Sequence, residues 1–403
     1  MIQSLKYFAK YVTIVLIVFS TVFIQSCNRN DDEFLPRVLV EANLFLNRSA
    51  NDLKLIAPSL NIPANAMKYD VDIYRVTYKT PYKNNEIIAS GIVVLPRTTD
   101  EVGMLCFNHG TIASNSEAPT QLGISNQQWF LFAAMASPGF IAVIPDFIGF
   151  GASVDIFHPY YDESLTATAI YDNMVAAAEL ARQNDVRFNK KLFISGYSQG
   201  GYATMAAHKY VEQNPSGDFN LIASFPASGG YDVKAMQEYF FGLETYDQPF
   251  FLAYVALAYK NTYDWSEGMD VFFNEPYAGR IPNLFNNVNT GSQINAQLNN
   301  NIAEFVKADF LNNIDTDNKY KFIVDAFNDN SLTDWTPTKP IYMYHGTADV
   351  TVPYENSVIT YEKLLARGTP ASLLSFIPLE GATHFTGPFP YIQDFVNKVL
   401  DMK

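Results

Sequence analysis

The sequence predicts an α/β fold, with a mostly parallel central sheet covered by helices on both faces and one mainly helical insertion. Three observations carry this. Short apolar runs recur at 104–107, 140–144, 191–195, 221–225, 341–344 and 372–377, with helical stretches between them. Strands alternating with helices indicate a parallel sheet, whose strands are buried on both faces and read as continuous apolar runs. The rhythm stops between 231 and 339, a segment far too long to be a structureless loop. Composition agrees: 48% of the 403 residues are hydrophobic and 17% charged, which excludes general disorder.

The first element is an address. Lys6 and Lys10 precede residues 12–24, which are apolar but for Thr13, Ser20 and Thr21. That run is too short for a span of about 20 residues, and it matches the basic and apolar regions of a secretory signal. Residues 1–26 are therefore expected to be a signal peptide. Ile24-Gln25-Ser26-Cys27 resembles a bacterial lipobox, although Ile24 and Gln25 depart from its usual residues. Cys27 is the expected lipidation site, and residues 27–33 read as an acidic tether resembling the export signal of surface lipoproteins in Bacteroidetes-like bacteria. A lipid-anchored location in the cell envelope, at the outer membrane or cell surface, follows as an expectation.

Residues 34–60 read as helical, with Ser49 to Asp52 as a capping-box-like start and Pro58 closing the run. Val71, Ile73, Tyr74, Val76 and Tyr78 form a β-rich run. Pro81 to Asn85 is a turn and 87–95 the returning strand. The run 104–107 ends at Asn108-His109-Gly110-Thr111, and 140–144 ends at Pro145-Asp146. Residues 162–184, rich in Ala, are the clearest helix. The strand 191–195 leads into Gly196-Tyr197-Ser198-Gln199-Gly200-Gly201, with a helix expected over 203–210. Residues 231–339 are aromatic and Asn-rich and read as a helical insertion. A last amphipathic helix closes the chain near 388–402. The catalytic domain is then 34–230 with 340–403.

The chemistry concentrates at Ser198. Gly-x-Ser-x-Gly between a strand and a helix places a serine on a tight, strained turn, and small neighbours let that turn approach adjoining strands. A serine hydroxyl needs a base, and the base an orienting acid. The five histidines are His109, His158, His208, His345 and His384. His384 lies in Gly381-Ala382-Thr383-His384-Phe385, and His345 opens His345-Gly346-Thr347-Ala348-Asp349. Glu355 and Glu380 compete with Asp349 as the acid. Asp146 reads as a turn-fixing residue, and His158, Tyr160 and Tyr161 as a surface loop that could also border the pocket.

These motifs together resemble the α/β-hydrolases of the secretory lipase and esterase type, from about residue 69 to the C-terminus. The order Ser, acid, His in that superfamily implies Ser198 as nucleophile, Asp349 as acid and His384 as base. It also implies an oxyanion hole from the amides of Gln199 and Thr111. His345 and His109 then serve their turns, and 231–339 is the cap over an acyl site. The implied reaction is acyl-enzyme hydrolysis of short to medium acyl esters or lipids, with no metal or organic cofactor. The partner is a small ester or lipid, together with a membrane through the anchor. With Lys+Arg at 27 and Asp+Glu at 41, the net charge of −14 argues against nucleic acid. Two further readings share these motifs. A prolyl-oligopeptidase-type peptidase would need a large propeller before the hydrolase domain, where only a short segment stands. A non-catalytic lipid-anchored binding protein would have no use for an intact Ser198, Asp349 and His384.

Overall fold

A computed structural model describes residues 36–403; the expected signal peptide, tether and Cys27 lie outside the described residues. The chain enters as a strand where a helix is expected. β1 (Leu39–Arg48) pairs antiparallel with β2 (Val71–Tyr82), and only α1 (Ala50–Ile56) is helical. The physical reason lies in the register. Shifts between Leu39 and Glu41 and between Leu44 and Leu46 break the alternation of the strand, so its period of two is hidden. The free edge of β2 supplies hydrogen bonds that local propensity cannot weigh. Ser49 does cap α1, accepting from the Asp52 amide, while Pro58 sits inside a following 3-10 turn rather than ending the run.

The expected hairpin is present, β2 returning as β3 (Asn85–Pro96). The remaining strands are β4 (Glu101–Asn108), β5 (Phe140–Pro145), β6 (Arg187–Tyr197), β7 (Asn220–Ala227), β8 (Ile341–Gly346) and β9 (Leu374–Leu379). The sheet order is β1-β2-β3-β5-β4-β6-β7-β8-β9, antiparallel through the β3–β5 pair and parallel from β5 onward.

Each face carries its own core, and the pleat sorts alternate residues between them. Leu105 and Phe107 pack with Trp129 and Phe132 of α2 (Gln128–Ala136), and with Phe395 of the C-terminal helix Pro388–Met402. Met104 and Cys106 face the other way, onto Met174 and Ala177 of α3 (Glu163–Gln183) and Ala203 and Ala207 of α4 (Gln199–Gln213). The long helix keeps its expected limits. Asp162 caps its start by accepting from the Leu165 amide, and Asn184 closes its end.

Between β7 and β8 the chain is mainly helical, as expected. It builds α5 (Val233–Phe241), α6 (Phe250–Thr262), α7 (Tyr277–Leu284), α8 (Gly291–Asn295), α9 (Ile302–Phe305), α10 (Ala308–Asn313) and α11 (Lys321–Asp329). The insertion leaves and returns at one place, where the Leu332 amide donates to the Tyr231 carbonyl at 2.7 Å. Asp232 pins this root, capping α5 through the Ala235 amide and pairing with Lys363 at 2.6 Å on α12 (Tyr354–Ala366). The aromatics of the segment are its glue. Phe240, Tyr254, Tyr259, Phe272 and Phe305 are buried in one cluster that continues into Met343 of β8 and Leu364 of α12. The closing helix Pro388–Met402 is α13. Among the described residues no helix is long and apolar enough to cross a membrane.

Candidate active site

Ser198 stands where β6 ends and α4 begins, at φ 61° and ψ −125°. Such a conformation in a non-glycine residue costs about 1–3 kcal/mol, so the surroundings must enforce it. The Ser198 amide donates to the Ala227 carbonyl at 2.9 Å, and its own carbonyl accepts from the Gly201 and Tyr202 amides. The flanking glycines are required by contact. A Cβ on Gly196 would lie 2.3 Å from the Gly200 carbonyl oxygen, and one on Gly200 would lie 2.0 Å from that of Asn108.

The candidate base and acid, His384 and Asp349, arrive from loops after β9 and β8, at the carboxyl ends of the strands, where open α/β sheets place their ligands. His384 Nε2 is 2.8 Å from Ser198 Oγ, and its Nδ1 is 2.6 Å from Asp349 Oδ2. Neither Glu355 nor Glu380 takes that place. Asp349 Oδ1 accepts from the Thr351 and Val352 amides, each at 3.0 Å. Burial pushes the Asp349 pKa up, but hydrogen bonds from His345 and His384 outweigh it and hold the carboxyl below its usual range. The group is therefore an anion near neutral pH. Tyr197, beside the serine, donates to the His384 carbonyl at 2.9 Å and so ties the base loop to the turn that carries Ser198.

The other histidines are engaged elsewhere. His345 Nε2 faces the Val352 carbonyl at 2.9 Å and Asp349 Oδ2 at 3.4 Å, while Nδ1 meets Ser357 Oγ at 2.6 Å. His345 thus braces the same Asp349 oxygen that faces His384. His208 is buried against Ser224 and Glu212. His109 Nδ1 sits 2.7 Å from the Gly110 carbonyl, within its own turn. Asp146 is fully buried and accepts from Ser90 Oγ, the Thr120 amide and Thr120 Oγ1, which suits a residue that stitches turns together.

Gln199 is the first residue of α4, so its amide has no acceptor within the helix. The loop after β4 runs beside the nucleophile: a Cβ on Gly110 would lie 3.6 Å from the Tyr197 carbonyl oxygen and 3.7 Å from Ser198 Cβ. Thr111 follows directly, with its Oγ1 held 2.9 Å from Tyr160 OH.

The surface-loop reading of residues 158–161 is corrected here. His158, Tyr160 and Tyr161 are 3%, 3% and 7% exposed. Burial pushes the His158 pKa down to about 3, so the ring is neutral. They are buried between Phe147, Phe150 and Tyr202 of the catalytic domain and Tyr254 of the helical insertion, a partner far along the chain. Tyr160 stacks on Tyr254 of α6, with ring centroids 4.4 Å apart at 9°. Under the same insertion lies a cavity of about 820 Å³, measured out to its mouth. Ser198, Tyr160 and Thr351 are among the residues that line it, and Phe240, Phe251 and Phe310 are among its apolar walls. Among the described residues no group of acidic, histidine and cysteine side chains is placed to hold a metal ion.

Comparisons with known proteins identify the family and the fold. The model of the secretory lipase family matches residues 113–389, well over half of the chain. No curated relative matches it. Among solved structures, a Legionella pneumophila protein described as a hydrolase superposes with a TM-score of 0.81 at 24% identity, covering 91% of this chain and 98% of its own. The rice cell wall degrading esterase LipA from Xanthomonas oryzae gives 0.76 at 21% identity, covering 90% and 97%. Lipase A from Candida antarctica gives 0.60 at 16% identity, covering 88% and 79%. At such identities these likenesses establish the shared α/β-hydrolase fold.

Proposed function

Since the chain belongs to the secretory lipase family, and so is a carboxylic ester hydrolase, we propose that it works by two-step acyl transfer on Ser198. His384 takes the Ser198 proton as Oγ attacks the ester carbonyl, and later activates the water that hydrolyses the acyl-enzyme. Asp349 holds the imidazole tautomer and steadies the imidazolium. The amides of Gln199 and Thr111 receive the oxyanion. The observation that carries this reading is the unbroken relay, 2.8 Å from Ser198 to His384 and 2.6 Å from His384 to Asp349.

The substrates are short to medium acyl esters. An apolar cavity that reaches Ser198 under a cap rooted by the Asp232 and Tyr231 contacts suits an acyl chain held in a fixed pocket. One observation favours a lipid-surface reading instead. Val350, Phe385 and Phe389, close neighbours of the acid and the base, are 68%, 69% and 62% exposed. Rates on p-nitrophenyl esters from acetate to palmitate should peak at the short to medium end. The rate on tributyrin should saturate smoothly through its solubility limit. A sharp upward break there, or a peak at palmitate, overturns the fixed-cap reading in favour of an interfacial lipase.

The family's secretory character supports an extracellular or envelope protein, and we place the anchor at Cys27. Cys27→Ser should abolish incorporation of labelled palmitate in a bacterial host. Labelling that persists, or a mature N-terminus other than residue 27, removes the anchor from this account.

A further inference from the structure

The two residues assigned to the oxyanion hole are both gripped at their side chains by one short segment, residues 158–160. His158 Nδ1 faces the Ile148 carbonyl at 2.6 Å, so that nitrogen carries the proton and Nε2 is left as an acceptor. Gln199 Nε2 donates to it at 2.7 Å. Gln199 Oε1 is buried with no hydrogen-bond partner among the described residues, so the His158 contact is the anchor of that side chain. Two residues on, Tyr160 OH meets Thr111 Oγ1 at 2.9 Å. Threonine is stiff about χ1, so holding its hydroxyl also holds the direction of its backbone. The segment is seated from below on Gly149 (φ +98°), where a Cβ would lie 2.5 Å from His158 Cα. From above, Tyr254 of the insertion stacks on Tyr160, lies 5.7 Å from the His158 ring, and donates to the Ile112 carbonyl at 3.3 Å.

We propose that His158 and Tyr160 are positioning residues for the oxyanion hole, Tyr160 seating the Thr111 loop and His158 seating Gln199, with Tyr254 of the cap fastening both. This rests on the reading of the Thr111 and Gln199 amides as oxyanion donors. Neither side chain touches the reacting atoms. Donors accelerate acyl transfer in proportion to how well they are aimed before the charge develops, so loosening the clamp weakens transition-state binding more than substrate binding.

The test compares Tyr160→Phe, Thr111→Val and their double variant on p-nitrophenyl butyrate, with inhibition by a trifluoromethyl ketone that forms an oxyanion on the serine. Tyr160→Phe keeps the ring and its packing. It should lower kcat roughly tenfold with KM within about twofold, and weaken the ketone by the same factor as kcat/KM. The double variant should be no worse than Thr111→Val alone, because both substitutions cut one hydrogen bond. Gln199→Met, which leaves His158 in place, should repeat the kcat loss independently. A rise in KM at unchanged kcat, unchanged ketone inhibition, or losses that multiply in the double variant would overturn the clamp. The underlying reading fails separately: if Ser198→Ala remains active, the site itself is misassigned. If that variant is dead while Tyr160→Phe keeps parental kcat and inhibition, only the clamp is wrong.

Discussion

Ser198→Ala is expected to bring ester hydrolysis down by about 10⁶-fold in kcat, with His384→Ala doing comparable damage because the members of such a triad act as a unit. The Oγ atom is the group that would form the acyl bond, and its hydroxyl meets His384 Nε2 at 2.8 Å. The turn is held through backbone bonds to Ala227, Gly201 and Tyr202, none of which involves the side chain. The folded state should therefore survive the substitution, with a melting temperature close to that of the parent. Reaction with a fluorophosphonate probe should vanish together with hydrolysis. Retention of more than a tenth of the parental rate by either variant would remove that residue from the mechanism.

Asp349→Asn is expected to cost about 10⁴-fold in kcat, by analogy with the same substitution in other serine triads. Here the geometry fixes which way the new amide points. Oδ1 accepts two backbone amides, from Thr351 and Val352 at 3.0 Å each, so the Asn carbonyl oxygen must occupy that side. The NH2 group then falls where Oδ2 now faces His384 Nδ1 at 2.6 Å and His345 Nε2 at 3.4 Å. A donor would meet donors on both rings. His384 can relieve the clash by moving its proton from Nδ1 to Nε2, and in that tautomer Nε2 can no longer accept from Ser198. The fold should hold, since the volume and the two backbone bonds are kept. Measured kcat within tenfold of the parent, at an unchanged melting temperature, would rule out Asp349 as the orienting acid.

Family membership and the α/β-hydrolase fold follow from features that are local in the chain. The parallel strands show as continuous apolar runs because both of their faces are buried, a condition written into each segment by itself. The bounds of α3 are equally local, with Asp162 and Asn184 marking the ends of a run of Ala at helical spacing. The turn at Ser198 is legible for the same reason: its strained φ of 61° needs glycines on both sides, where a Cβ would meet backbone at 2.0–2.3 Å. Strand β1 was not legible, because two register shifts erase its alternation and its stability comes from β2, a partner more than twenty residues away.

What the sequence by itself determined, then, is whatever is set by short-range sterics and by burial pattern. That covers the strand–helix alternation, the serine turn, the long helix, and the helical character of 231–339. Among the candidates, the order of the motifs already singled out Asp349 and His384 over His345, Glu355 and Glu380. What only the tertiary structure supplies is their meeting, a 2.6 Å contact between residues 35 apart that is made by the loops after two different strands. The tertiary structure also decided the surroundings of His158 and Tyr160. His158 is seated on Ile148 and Phe150 nearby, but the cover on both residues is completed by Tyr254, nearly a hundred residues further on. Packing between distant segments depends on the sum of many weak contacts across the folded chain. No window of sequence contains that sum, which is why the contacts of His158 and Tyr160 with Gln199 and Thr111 become visible only once the insertion is folded over the sheet.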